Sequence, residues 1–298
     1  AAHGTASADW MRLGAALALA DDRPVAEVVR AVDKAAYALR HHAGWSPDLA
    51  TPAQWPVAGL VVGLGVDAHR FAYECESVRR RLKEGGLPDP GTWAPYVVGA
   101  LRQWEKLWPL GAETVQAMGG LFLALRAYHR WMTGPDDLPV CAALVGNGGT
   151  TAQMVEALDH ACGDVFAWAG NDLQAAATVL ALGGDQVAPL SMRLRAQVDA
   201  FGDLRSEVWQ GDPAALALMV LGGADPRTAA AEVLNAYAAV VGERTLGDPA
   251  VDFTAAVAVH LAGLPAFHTA GAEGRRLRAG LVTVVGRLEH RLLAEPVV

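Results

Sequence analysis

The sequence is short of aromatics, of charge and of cysteine, and each shortage excludes something. Aromatic residues make up only 7% of the 298 residues, so Ala, Leu and Val must fill the core. Charged residues reach 19% against 52% apolar ones, a balance that rules out an intrinsically disordered chain. Three cysteines, Cys75, Cys141 and Cys162, are too few and odd in number for a disulfide framework, so a reducing, cytoplasmic setting is expected. No apolar run approaches the roughly 18 residues of a membrane-spanning helix. Ala214–Leu221 is among the longest, and Gly222-Gly223 ends it. No basic segment followed by a hydrophobic stretch opens the chain, so no signal peptide is expected. Ala1–Ser7 reads as an appended or disordered leader, which puts the expected domain at residues 8–298.

Cationic clusters are scarce as well. The net charge is −8, and the two basic runs are Arg79-Arg80-Arg81 and Arg275-Arg276-Leu277-Arg278. Each reads as the solvated face of one helix. Nucleic acid is therefore not expected as a partner, nor is a membrane.

Repetition is what the sequence has in abundance. An apolar run, a Gly or Asp turn and an amphipathic stretch recur in that order. Leu19, Leu64, Val145, Leu182, Leu221 and Leu261 anchor the copies. The last three gaps are 37, 39 and 40 residues, and the first is 45. The gap of 81 between Leu64 and Val145 leaves room for one further unit without the phrase. A period near 40 residues suits a helix–turn–helix unit.

Turn chemistry agrees with that reading. A glycine just past a helix takes the left-handed conformation without steric penalty. An aspartate then caps the next helix, and a proline follows it at the first helical position. Asp225-Pro226, Asp212-Pro213, Asp248-Pro249 and Ser46-Pro47 follow this scheme, and Asp21-Asp22 is assigned to it. The stretches after the turns keep spacings of 3 and 4: Val187, Leu190, Leu194, Val198 and Phe201; Met154, Val155, Leu158, Cys162 and Val165; Val25, Val28, Val29, Val32 and Tyr37. These spacings predict helices with one buried face. In the middle segment, Trp93–Leu107 and Glu113–Met132 are expected to form two longer helices. They carry Trp93, Trp104, Trp108 and Trp131, either core packing or the wall of a groove.

Few patterns carry chemistry. The turn Gly146-Asn147-Gly148-Gly149-Thr150-Thr151 resembles a phosphate cradle, but it lacks the nucleotide-loop lysine and the dinucleotide glycine spacing. A helix-to-helix turn is the expected reading. His41-His42 diverge on a helix, and the segment from Asp67 through His69 and Tyr73 to Glu76 matches no metal spacing, so no metal or other cofactor is expected. Asp67 is expected to cap the helix carrying His69 and Tyr73. No nucleophile elbow is present. Asp136-Asp137 reads as a helix cap, with Thr133 or Asp136 as the capping residue, or as an acid–base pair in a concavity.

The segment around those aspartates resembles a known family. Tyr128-His129, Met132-Thr133-Gly134, Asp136-Asp137 and Ala142-Ala143-Leu144 are similar to a motif of an uncharacterised bacterial family, the domain of unknown function four thousand and three. Gly170-Asn171-Asp172-Leu173-Gln174, followed by Val179-Leu180-Ala181-Leu182, resembles its second landmark. The likeness covers the middle third. It departs at Leu138-Pro139, where the family pattern has an aromatic. It implies a helical fold and no activity.

The expected architecture is all-α: repeated antiparallel helix pairs forming an α-solenoid or an α/α toroid-like single domain. The leading functional expectation is a binding or scaffolding module, its concave surface holding a protein or small molecule. The alternative is an enzyme or small-molecule binder with a carboxylate- and Trp-lined cavity. His129, Trp131, Asp136 and Asp137 are the ligand-binding candidates, and no catalytic residue is assigned.

Overall fold

The computed structural model describes residues 2–42, 53–106, 109–128, 135–169, 174–203, 212–242 and 248–294. Among these residues there are fourteen α-helices and no strand. They succeed one another as seven pairs: α1 (Ala2–Ala18) and α2 (Val25–Arg40), α3 (Gln54–Gly63) and α4 (Ala68–Glu84), α5 (Ala94–Arg102) and α6 (Ala112–Tyr128), α7 (Leu138–Asn147) and α8 (Thr151–Ala169), α9 (Gln174–Ala181) and α10 (Val187–Asp203), α11 (Pro213–Leu221) and α12 (Pro226–Val241), α13 (Pro249–Ala262) and α14 (Ala272–Ala294). The six anchors lie at or near the ends of first helices, and the phrase-free unit is α5–α6. α1 begins at Ala2, so it runs through residues that the sequence reading sets aside.

The two helices of a pair differ in kind. Every residue of α5 is buried, and so are Ala214–Val220 of α11 and Ala250–Ala258 of α13. A helix that is apolar on all sides belongs inside. By contrast, α12 buries only Ala229, Ala230 and Val233. The first helices touch in succession: α1 with α3, α3 with α5, α5 with α7, α9 with α11 and α11 with α13. Contact between α13 and α1 completes the circuit. Between α7 and α9 the join runs through α8 and through Asn147, whose Nδ2 donates to the Leu182 carbonyl at 2.8 Å. The second helices α2, α4, α6, α8, α10 and α12 also touch in order, each packed on the next first helix.

The seventh pair breaks the pattern. α14 packs against α1, α3, α5, α7, α11 and α13. Its residues Ala279–Gly286 form eight consecutive buried positions, so neighbours surround it on all sides. Two glycines let it approach so closely. A methyl group on Gly280 would meet Leu218 Cδ2 at 2.6 Å, and one on Gly286 would meet the Tyr96 ring at 2.8 Å.

Turn chemistry follows the expectation in most units. Asp67 accepts from the Arg70 amide, Asp225 from Thr228, Asp248 from Ala250, and Asp212 from Ala214 and Ala215. Gly184 and Gly223 take positive φ values of 58° and 83°. Ser46-Pro47 lies outside the described residues. Two expectations need correction. Asp21 caps nothing: α2 starts after Pro24, and Asp21 binds the Arg23 amide and guanidinium instead. Of the two caps expected for α7, Thr133 lies outside the described residues and Asp136 falls inside the 3-10 turn Pro135–Asp137; Asp137 stands at the cap position instead, and its side chain makes no capping bond.

Two helices differ from their predicted form. α5 stops at Arg102 rather than continuing to Leu107. Arg102 and Glu105 close it, the Arg102 guanidinium donating to the Glu105 carbonyl at 3.1 Å. The Glu105 carboxylate meanwhile accepts from the Gly111 amide and the Thr114 hydroxyl. α2 fully buries Ala35, Ala36 and Leu39, while of its predicted stripe only Val28 and Val32 pack, partly buried, against the core. Small residues bring α2 close to α3, and Val25, 79% exposed, and Val29 face outward.

Candidate functional site

Six turns and the N-terminal part of α14 meet at one face of the molecule, called here the turn face. The arginine run of α14 spreads across it. Arg276 Nε donates to Asn147 Oδ1 at 2.6 Å, and Asn147 in turn holds the Leu182 carbonyl. Arg278 donates to Gln103 Oε1 at 3.0 Å and to the carbonyls of Phe267 and Thr269. The Arg275 guanidinium lies 5.7 Å from the centre of the Trp104 ring. The run is thus no solvated stripe. It ties the α5–α6, α7–α8 and α13–α14 turns together. Burial, and then the neighbouring Arg275 charge, pull the Arg278 pKa below its ordinary value.

Two cavities flank this span. The larger, about 660 Å³, lies between the α7–α8 and α9–α10 turns, where the inner circuit is joined through α8. Asn147, Gln153, Glu156, His160, Gln186 and Arg276 supply its polar lining. A volume of this size suits a small molecule. His160 and Glu156 are one helical turn apart on α8 and share a face. The floor includes the glycine turn that resembles a phosphate cradle. That turn is closed to an anion by its own cap: the Thr150 amide donates to Gln153 Oε1 at 2.8 Å, and the Gln153 amide to Thr150 Oγ1 at 3.2 Å. This reciprocal bonding is a capping box. Gly146 is small for another reason, since a methyl there would fall 1.8 Å from Trp104 Cδ1.

The second cavity, about 430 Å³, is lined by residues of the α1–α2, α3–α4, α5–α6 and α13–α14 turns. Its charged lining is Arg102, Glu105, Lys106, His268, Arg275 and Arg278. Arg102 pairs with buried Glu74 at 3.1 Å, and His268 with Asp22 at 3.0 Å.

The sequence-derived candidates lie elsewhere. His129 and Trp131 fall outside the described residues, as does Trp108. Asp136 is half-buried in the turn before α7. Asp137 is 3% exposed and faces Arg287 of α14 at 3.6 Å. Neither aspartate lines the two turn-face cavities. Trp93 and Trp104 flank opposite ends of α5, about 15 Å apart at 1.5 Å per residue. They build no shared wall: the Trp93 ring meets that of His290 at a tilt, centroids 4.8 Å apart, and Trp104 covers Gly146.

Carboxylates gather at the other ends of the inner helices. Arg12 pairs with Asp9 at 2.9 Å and with Asp252 at 3.0 Å, and Arg291 pairs with Asp248. Asp212 accepts from the Thr254 hydroxyl as well as from two amides. Burial raises the pKa of Asp9, Asp212 and Asp252 even so. Glu289 on α14 is pushed well up by burial alone.

His42 Nδ1 lies 3.3 Å from His69 Nδ1, bringing together two histidines far apart in sequence. No group of three or more His, Cys, Asp or Glu suited to a metal exists among the described residues. No helix of the described residues is long and apolar enough to cross a membrane.

Compared with protein-family models, curated proteins and solved structures, the chain matches none. Among the described residues, fold and site define an all-α protein of paired helices with polar cavities on its turn face.

Asn147, Gln153, His160 and Arg276, which line the larger cavity, are not among the ligand-binding candidates read from the sequence. One signal for them was present: the arginine run, which reads differently once α14 is central rather than peripheral.

Proposed function

We propose that this chain is a binding module of the α/α toroid type whose ligand seat is the larger turn-face cavity. The contact between α1 and α13 favours a closed arrangement over an open solenoid. α14 takes up the inside of the circuit, which moves the binding surface from a concave wall to the turns. The observation that carries the reading is the cavity of about 660 Å³, whose polar groups converge from the α7–α8 and α9–α10 pairs and from α14. Gln153, Glu156 and His160 supply hydrogen-bond donors and acceptors, Arg276 a cation, and Leu144 and Met154 an apolar wall. That mixture suits a small polar organic molecule.

Thermal-shift screening with amino acids, sugars and nucleotides tests this. A ligand at one hundred times its Kd stabilises by about 2.7 kcal/mol. At least one class is expected to raise Tm, with the shift lost in His160→Ala and in Gln153→Ala. A shift that survives both substitutions rejects the seat.

The kinship with domain of unknown function four thousand and three belongs to the same proposal. Its residues Asp136-Asp137 and Ala142–Leu144 border and build α7, and Val179–Leu182 complete α9. These are the two helices whose join opens the cavity. A reducing cytoplasm is the proposed setting, supported by Cys75 and Cys141 as buried free thiols.

A second reading has its own observation. The raised pKa values of Asp9, Asp212, Asp252 and Glu289 are a pattern common at acid–base sites. In this reading the carboxylates serve an enzyme at the end opposite the turn face. Their ties to Arg12, Thr254 and backbone amides equally describe structural caps. Unchanged ligand affinity and turnover in Asp212→Asn and Asp252→Asn would leave only the structural role.

A further inference from the structure

We propose that the second turn-face cavity is a binding site for a small phosphorylated molecule. The case starts from charge. Among the residues lining this cavity, Lys106, Arg275 and Arg278 pair with no carboxylate among the described residues. Arg102 and His268 already pair with Glu74 and Asp22, both outside the lining. Glu105 is the one lining carboxylate, and it already accepts from Gly111 and Thr114. Three cations therefore face one carboxylate, in a chain whose net charge is −8. Like charges held together in a partly dry recess cost free energy, and a bound anion removes that cost.

Geometry adds to charge. Arg278 is fixed by three hydrogen bonds through Nε and Nη1. Those bonds leave Nη2 free to donate. Arg275 is steadied by the Trp104 ring and by the Gly271 carbonyl. Arg275 and Arg278 are three residues apart on α14, so they project from one face. Two guanidinium groups so placed suit the oxygens of a phosphoryl group. Lys106 contributes a mobile point charge. Ala20, Leu64 and Val66 provide an apolar wall on the α1 and α3 side. About 430 Å³ exceeds the needs of a bare phosphate, so the ligand class is a phosphate ester with a small organic part. This site is separate from the larger cavity and does not rest on its ligand.

Titration calorimetry tests the proposal with inorganic phosphate, pyrophosphate and glycerol phosphate at 50 and 300 mM NaCl. Arg275→Ala and Lys106→Ala change exposed or half-buried groups and are the working variants. Arg80→Ala on α4 is the charge control, and circular dichroism melts verify folding. At least one phosphate is expected to bind with Kd below 1 mM at low salt. Each working variant should weaken it tenfold or more, and Arg80→Ala less than twofold. Tighter binding of the ester than of phosphate assigns the apolar wall to recognition; equal binding confines the site to the phosphoryl group, removes the ester requirement and overturns that part of the proposal. Binding that stays intact in Gln153→Ala separates this site from the larger cavity. No heat at 10 mM ligand overturns the proposal, as does equal loss in Arg80→Ala or unchanged binding in Arg275→Ala with Lys106→Ala.

Discussion

Glu289 is the sharpest residue-scale case. It is 2% exposed, Oε2 has no hydrogen-bond partner, and burial alone raises its pKa. A carboxyl group that holds its proton more tightly when folded stabilises the fold at low pH. The unfolded chain releases that proton above about pH 4.3, the unperturbed glutamate value. The folded chain releases it only at higher pH, so stability falls as pH rises through that window. Glu289→Gln keeps the shape and removes the proton. It is expected to raise Tm at pH 8, with the gain shrinking toward pH 4.5. Melts across that range check it, and a constant gain at all pH values would reject the account. The two described thiols give a second test. Cys75 and Cys141 are fully buried, and burial raises both pKa values. Neither should react with a thiol-disulfide reagent in the native protein, and both should react in guanidinium. Peptide mapping by mass spectrometry reads the outcome.

Helix contacts at the next scale depend on absent side chains. α1 and α3 meet backbone to backbone. A methyl on Gly59 would lie 1.9 Å from the Gly14 carbonyl oxygen, and one on Gly63 would lie 2.2 Å from that of Leu17. Neither contact can yield by rotating a side chain. Gly59→Ala is expected to cost about 3 kcal/mol or more, at the upper end for overpacked cores. Gly120, with nothing within 4 Å, is the matched control. Its alanine variant should be neutral or slightly stabilising by helix propensity, and urea melts compare the two. Elements of this kind were partly legible in sequence. Spacing and cap residues located the pairs, since Asp212, Asp225 and Asp248 act locally on amides two or three residues away. The buried face of α2 was not legible. Its valines form the stronger stripe, yet only Val28 and Val32 reach the core, and contact with α3 fully buries Ala35, Ala36 and Leu39 instead. The site was less legible still, because Asn147, His160 and Arg276 lie on α7, α8 and α14, and only the central position of α14 unites them. Asp137 misled for the same reason, since its partner Arg287 is 150 residues away.

At the scale of the molecule, the circuit of first helices and the contact between α13 and α1 change how the chain should unfold. An open stack of repeats loses its ends first and melts in stages. Here the α1–α2 and α13–α14 pairs touch and α14 packs against six inner helices, so neither pair is an isolated end of the stack. Calorimetric and van't Hoff enthalpies are therefore expected to agree, as for a single cooperative transition. Hydrogen exchange should show α11, α13 and the middle of α14 protected to the same limit. A staged melt beginning at α1 would show that the α1–α13 contact contributes little.

The central position of α14 also bears on biosynthesis. The residues that fill the middle of the protein leave the ribosome only after all six inner neighbours. Until then those neighbours have an apolar lining and nothing to cover it. The nascent chain must therefore wait, incomplete and adhesive, for Ala279–Gly286 to emerge, and a translational stall just before them would leave a species that chaperones must hold.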